Sequence, residues 1–174
     1  MFIYLYKKIK LKKLKNKVKN GNHKIEIVGN FECTTPDNIN LKEYIYIGPN
    51  NKFYGTGKIY IEENVIIGND VTILTTNHNY EGELIPYDSV AINKDVTIHE
   101  NVWIASNCLI LPGVEIGEGA ILAGGSVLTK NIPPCEIWGG NPAKFIKKRN
   151  IEKYSKLKNE KKQYLNYKWS DKIR

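Results

Sequence analysis

The chain has 174 residues, 41% of them hydrophobic and 25% charged, which supports one domain with its own core, or one domain plus a short extension. It has no apolar run long enough for a spanning helix, and no apolar stretch with a cleavage site that would mark a secretory leader. Cys33, Cys108 and Cys135 are odd in number and far apart, which argues against a disulfide framework or a cysteine zinc site and fits a reducing cytoplasm.

Charge divides the chain into three parts. Residues 1–20 hold eight lysines and no acid. Residues 21–143 hold six lysines against fifteen acids, and residues 144–174 hold twelve cations against three acids. This is a mildly acidic body with two basic ends, not a uniformly basic nucleic-acid binder.

Ile9, Leu11, Leu14 and Val18 stand apolar among lysines, and predict a basic N-terminal helical extension over 1–24. Phe2-Ile3-Tyr4-Leu5-Tyr6 ahead of those lysines has the character of an interfacial anchor, so peripheral membrane contact through residues 1–20 is one expectation and solvated helix the other. Next, Ile27, Cys33, Ile39 and Ile45 recur at six, with Leu41, Ile47, Phe53 and Ile59 in a companion slot. Turn clusters Gly48-Pro49-Asn50-Asn51 and Gly55-Thr56-Gly57 lie between them, and the stretch 25–60 reads as irregular first coils of a repeat.

The period then becomes strict. Every sixth residue is Ile61, Ile67, Ile73, then after a break Ile92, Ile98, Ile104, Ile110, Ile116, Leu122 and Leu128. All are aliphatic, although Ile, Leu and Val fill only 45 of the 174 positions, so the period is a structural repeat. Four residues after the slots come Val65, Val71, Val96, Val102, Cys108, Val114, Ala120 and Ser126, all small or β-branched. Such a pattern fits neither an α-helix nor a long alternating strand. It predicts an all-β coil of very short strands, eighteen residues per three-sided turn, with aliphatic columns inside and no single repeat stable alone.

The break spans nineteen residues from Ile73 to Ile92, one more than three hexads, so residues 77–89 are expected to leave the coil as a loop opened by His78. The coil is expected over 25–146. Residues 147–174 form a basic helix or tail, with Tyr154, Leu157, Tyr164 and Leu165 at near-helical spacing across 150–168.

Five segments carry a resemblance. They are Thr75-Thr76-Asn77-His78, Asn101-Val102-Trp103-Ile104-Ala105-Ser106, Leu111-Pro112-Gly113-Val114-Glu115-Ile116-Gly117, Gly125-Ser126-Val127-Leu128-Thr129-Lys130 and Gly140-Asn141-Pro142-Ala143-Lys144. In this order and spacing the chain resembles the hexapeptide-repeat acyltransferases, in particular the maltose, galactoside and nodulation-factor O-acetyltransferase group. The resemblance implies a left-handed parallel β-helix, a homotrimer with active sites between subunits, and acetyl-CoA as donor. Left-handed coiling opposes the general right-handed rule for parallel crossovers, and the period alone does not reveal it.

A hydroxyl is a poor nucleophile until a base takes its proton, and an imidazole titrating near neutrality suits that task. The resemblance makes His78 this base, with direct attack on the thioester, and places an oxyanion-holding N–H at Ser106. Asn77 and Tyr80 fall beside it as acceptor-binding candidates. Trp103 breaks an otherwise small or polar outward slot. It is read as a wall for a sugar or a pantetheine arm, or as packing against the loop or a neighbouring subunit. Ala105, Ala123, Gly124 and Gly125 would let pantetheine lie close to backbone, though tight corners also need small residues. Thr129, Lys130, Lys144 and the run ending at Arg149 supply charge for the CoA phosphates.

Ala105 and Gly124 stand where the family has Gly and Ala, and both keep the side chain small. The first sixty residues match no acceptor site of the family. Asn50, Asn51 and Tyr54 are candidates only through nearness in sequence. Glu81, Glu83 or Asp88 could orient His78, and the residues do not choose among them.

The expected activity is acetyl transfer to a sugar hydroxyl, in surface polysaccharide precursors such as capsule or lipopolysaccharide, by a cytoplasmic enzyme that can sit peripherally at the inner face of the membrane. One rival is N-acetylation of a nucleotide-linked amino sugar. Another is a non-catalytic membrane-surface or scaffold role. A serine acetyltransferase would carry a larger helical N-terminal domain. A zinc coil enzyme needs converging histidines, and His23, His78 and His99 have no ligand spacing, so no metal is expected. No nucleic-acid reading module is present.

Overall fold

Strands of two to four residues pair only when a neighbour in the next coil supplies the ladder, and the repeat provides one at every turn. The computed structural model describes residues 24–170. Three parallel stacks form the sides of a prism. The first face holds Ile25–Ile27, Ile45–Ile47, Val65–Ile67, Trp103–Ile104, Ile121–Leu122 and Glu136–Gly139 in that order. The second holds Phe31–Cys33, Asn51–Tyr54, Thr72–Leu74, Leu109–Ile110 and Val127–Leu128. The third holds Ile39–Leu41, Ile59–Ile61, Val96–Ile98 and Glu115–Ile116, continued by a bridge from Ile116 to Ile132.

Register stacks like on like. Ile47 pairs with Ile67, Ile67 with Ile104, and Ile104 with Leu122. Phe53, Ile73, Ile110 and Leu128 repeat this on the second face. The hexad residues Ile61, Ile67, Ile73, Ile98, Ile104, Ile110, Ile116, Leu122 and Leu128 are each at most 1% exposed. Their companions from Val65 to Ser126 are buried with them. Each buried aliphatic side chain contributes roughly 1.5–3 kcal/mol, so the column is the main source of stability. Ile92 departs from the expected slot. It pairs with Asn77 outside the column and is only half-buried. The repeat therefore resumes inward at Val96 and Ile98.

Corners need a left-handed residue, and Asn, Asp and Gly tolerate that backbone best. Asn50, Asp70 and Asn107 take it in successive coils between the first and second faces, with φ of 61°, 56° and 61°. Asn51 is fully buried, giving its amide to the Gly48 and Gly68 carbonyls and accepting from the Val71 N–H. It is a structural brace between coils, which corrects its reading as an acceptor contact.

The coil ends when Lys144–Lys148 turns back antiparallel onto Glu136–Gly139. Two helices follow where one was expected: α1 over Ile151–Asn159, capped by the Asn150 side chain on the Lys153 N–H, and α2 over Tyr164–Trp169. They return along the corner between the third and first faces. Tyr154 meets Glu118 and Asn101, the Leu165 N–H meets Asn64, and Lys168 meets Glu26 in the first coil. The expected N-terminal helix lies outside the described residues, save Lys24.

Candidate active site

The interruption of the repeat is a β-hairpin. Thr76–His78 pairs antiparallel with Ala91–Asn93, so the excursion begins one residue before the expected loop and ends four after it. It leaves the corner between the second and third faces. Its root is tied by Asn93, whose Oδ1 accepts from Thr76 Oγ1 at 2.6 Å and Thr56 Oγ1 at 2.7 Å, while the Thr56 N–H donates to Thr76 Oγ1. Thr56 and Asn93 lie far from His78 in sequence, so the expectation missed this clamp.

His78 is exposed on the hairpin edge, opposite Ala91. Its ring stacks on Tyr87, centroids 3.8 Å apart and planes 14° apart. Among the described residues no carboxylate touches the imidazole. Asp88 instead holds the turn by accepting from Asn79 Nδ2 and the Val90 N–H. The neighbour of the ring is an aromatic, Tyr87, and not one of the acids Glu81, Glu83 and Asp88 that the sequence offered. Asn77 spends its side-chain oxygen on the His78 N–H. Tyr80 stands 67% exposed at the tip and touches no other described ring.

A second group lies along the edge between the first and second faces. Ala105-Ser106 and Gly124-Gly125 turn this corner in consecutive coils, with the Gly125 N–H bonded to the Ser106 carbonyl. The Ser106 N–H donates to no group among the described residues. A Cβ on Gly125 would meet nothing within 4 Å, and one on Gly124 would meet only the Ser106 carbonyl and Ala105. The corner is thus open beside unengaged amide, as an extended pantetheine arm requires. Gly139 packs against Ala123, and Lys144 pairs with Gly139 at the same edge.

The remaining candidates divide. Thr129 and Lys130 follow Val127–Leu128 and so turn the hairpin's corner, two coils beyond it. Arg149 is drawn to the third corner, giving its guanidinium to the Gly119 carbonyl at 2.8 Å and lying 4.9 Å over Tyr154. That engagement corrects its expected place beside Lys144. Trp103 projects from the first face at 49% exposure into a groove of ≈ 270 Å³ shared with Ile66, Ile121, Tyr154 and Tyr164. Tyr54 gives its hydroxyl to Glu32 at 2.6 Å, and burial followed by that bond pushes its pKa up to about 12. Asn50 is a corner residue of the first edge. His99 sits at the third corner between Glu115 at 2.6 Å and Glu62 at 3.7 Å, and His23 lies outside the described residues. Among the described residues no group of His, Cys, Asp and Glu could hold a metal ion.

Residues 95–130 match the family described as bacterial transferase hexapeptide (six repeats). That stretch carries the repeat of this family, and the stacked coil is the fold of solved hexapeptide-repeat acetyltransferases. This hexapeptide-repeat chain is 34% identical over 113 residues to galactoside O-acetyltransferase of Escherichia coli, covering 65% of itself and 55% of that protein. A maltose O-acetyltransferase of Clostridium difficile superposes with a TM-score of 0.65 at 32% identity, over 72% of this chain and 66% of the other. A hexapeptide-repeat acetyltransferase of Vibrio cholerae, solved with acetyl coenzyme A, superposes at 0.67 with 27% identity, over 72% and 68% of the two chains. The chain spans between about a quarter and three fifths of the length of curated relatives it matches.

The geometry of this hexapeptide-repeat chain separates two chemistries. An exposed imidazole stands on the hairpin's edge, and an open corner runs along another. The second face lies between them.

Proposed function

We propose that the chain is an acetyl-CoA-dependent O-acetyltransferase acting on a sugar hydroxyl, with His78 as general base. The observation that carries this reading is the single hairpin that interrupts the coil and presents an exposed imidazole held by Tyr87. Similarity to hexapeptide-repeat acetyltransferases supports the donor, since one neighbour of this fold was solved with acetyl coenzyme A.

In this mechanism His78 takes the proton from the acceptor hydroxyl as its oxygen bonds to the acetyl carbon. The Ser106 N–H holds the carbonyl oxygen as charge builds there, a contact typically worth ~3 kcal/mol. The C–S bond then breaks, and His78 returns the proton to the departing thiolate. Ala105, Ala123 and Gly124 line the pantetheine path. Lys144 at the same edge, with Thr129 and Lys130 of a neighbouring copy, supplies charge for the phosphates. Trp103, Tyr80 and Asn77 border the acceptor.

The two groups of residues occupy different edges of one prism. A closed threefold assembly sets an edge of one copy against a different edge of the next, so each site would take His78 from one subunit and Ser106 from its neighbour. The homotrimer is therefore part of the proposal. A precursor of capsule or lipopolysaccharide as acceptor, and a cytoplasmic location, rest on the family resemblance alone.

The test is thiol release from acetyl-CoA across a panel of sugars, amino sugars and nucleotide sugars. Wild type should turn over best on a hydroxyl acceptor, and His78→Ala should lose about 10²–10⁴-fold in kcat with an unchanged melting temperature. Wild-type turnover by that variant would remove His78 from the mechanism. Preference for an amine would reassign the acceptor.

A further inference from the structure

The C-terminal helices turn part of the first face into a groove. Trp103 stands out from that face 49% exposed, and Tyr164 of α2 borders the same groove at 58%. Arg149, Tyr154, Lys158 and Lys162 also line it, and no carboxylate does. Its volume of ≈ 270 Å³ falls just under the roughly 300–1,000 Å³ of sites that enclose a whole drug-sized ligand, so it suits a single ring. The polar floor is already bonded internally. Asn101 accepts from Asn64 and Gln163 and donates to the Tyr154 hydroxyl, which donates to Glu118. Lys158 is paired with Glu118 and Glu100, and Lys162 with Glu160. Arg149 is the exception. Its guanidinium lies over Tyr154 and donates to the Gly119 carbonyl, and its other donors hydrogen-bond to no described group. A fixed floor, two exposed aromatic walls and one uncommitted guanidinium are left for a ligand.

We propose that this groove holds one acidic sugar residue of an oligosaccharide acceptor, with its carboxylate on Arg149 and its ring against Trp103 and Tyr164. An aromatic wall packs against the apolar C–H face of a pyranose while the hydroxyl rim stays wet. A guanidinium forks a carboxylate through two parallel N–H bonds. A nucleotide fits less well, because its phosphates call for several free cations and two of the three here are already neutralised.

The place of the groove in the fold supports an acceptor chain. His78 and Ser106 stand at the two edges of the second face, so an assembly that joins those edges turns the opposite corner, and the groove with it, outward. Trp103 and Ser106 belong to one coil, separated by roughly 10 Å of extended backbone. A sugar seated in the groove is therefore not the one acetylated beside Ser106. The acceptor has to span the first face, with its acidic residue in the groove and its reacting hydroxyl at the corner. The acceptor role rests on the transferase reading, whereas the binding is measured without turnover.

The experiment is calorimetric titration of the full chain with uronic-acid tetrasaccharides: oligogalacturonate, oligomannuronate and a hyaluronan fragment. Their carboxyl-reduced neutral counterparts, and adenosine bisphosphate as the nucleotide end of CoA, are the other arms. At least one acidic tetrasaccharide should bind about ten-fold more tightly than its neutral counterpart, and Arg149→Gln should erase the difference. Tyr164→Ala should weaken the acidic and neutral forms alike, by about three- to ten-fold. Melting and acetyl-CoA binding are followed on each variant, and Tyr164→Ala carries the test if Arg149→Gln melts early. In turnover on the acidic acceptor, Arg149→Gln should raise KM about ten-fold with kcat kept. No binding by any acidic tetrasaccharide, or equal affinity for the acidic and neutral forms, would overturn the proposal. So would binding of adenosine bisphosphate that Trp103→Ala and Arg149→Gln both abolish, since that would give the groove to the donor. Acidic binding without acetyl transfer to any acceptor would remove the transferase reading and leave the groove its ligand, while transfer without such binding would do the reverse.

Discussion

The coil and its hairpin use the same apolar residue types to opposite ends. In the coil, Ile67, Ile104 and Leu122 lie one above another with no exposure at all. In the hairpin, Leu84, Ile85, Tyr87 and Val90 stand 65%, 98%, 44% and 55% exposed. A coil residue finds the next coil about 4.8 Å away and buries against it, whereas the hairpin has no neighbour within its own chain. Stability therefore resides in the stack, and the hairpin is left to present side chains to whatever meets it. Substitutions in the two regions should separate folding from activity.

The largest effects come from breaking each region at its centre. His78→Gln in the hairpin should lower acetyl transfer by about 10²–10⁴-fold, measured as thiol release, with circular dichroism and melting unchanged. Ile104→Ala in the stack should cost ~2–5 kcal/mol in denaturant unfolding, because neither adjoining coil can collapse into the cavity. Any activity loss should follow the unfolded fraction. A His78→Gln chain that melts early, or an Ile104→Ala chain that folds as wild type but is inactive, would erase the distinction.

Smaller changes sharpen it. Gly124→Val fills the open corner and should raise KM for acetyl-CoA several-fold with kcat nearly kept, since only the Ser106 carbonyl and Ala105 lie near its Cβ. Tyr87→Ala removes the ring against His78, a stacking worth ~0.5–1.5 kcal/mol, and should lower kcat about ten-fold while shifting its pH profile.

The smallest effect concerns the C-terminal helices. Burial pushes the Glu118 carboxyl up, but hydrogen bonds from Lys158 and Tyr154 outweigh it and leave it below its usual range. The bond to Glu118 holds Lys158 above its own. The carboxylate contribution is present above about pH 4.3 and lost as pH falls through its lowered pKa. The lysine contribution is present below about pH 10.4 and lost as pH rises through its raised pKa. For this partly exposed pair the effect is ~0.2–1 kcal/mol. It is measurable as lower hydrogen-exchange protection factors (rates corrected for the intrinsic pH dependence of amide exchange) in α1 at pH 3.5 than at pH 6, with the stack unaffected.

Much of the architecture was readable as a period, since Ile61 to Leu128 could share one environment only if each hexad made one side of a coil. Ile92 shows the limit. It keeps the spacing by coincidence and pairs instead with Asn77 across the hairpin. The excursion that carries His78 was readable because the period failed there, and its reading as a base came from the resemblance. The ring beside His78 was not readable, because a stacked tyrosine leaves no spacing signature. Arg149 was misplaced for a related reason, as charge in sequence does not reveal which corner receives the side chain.

What the sequence by itself determined is the repeat, its one interruption and the charge of its ends, because all three depend on residue type and order alone. Only the tertiary structure decided which corner each residue turns. That assignment put His78 and Ser106 on separate edges and joined Lys24 to Trp169, since three-sided winding brings together residues a whole coil or the whole stack apart.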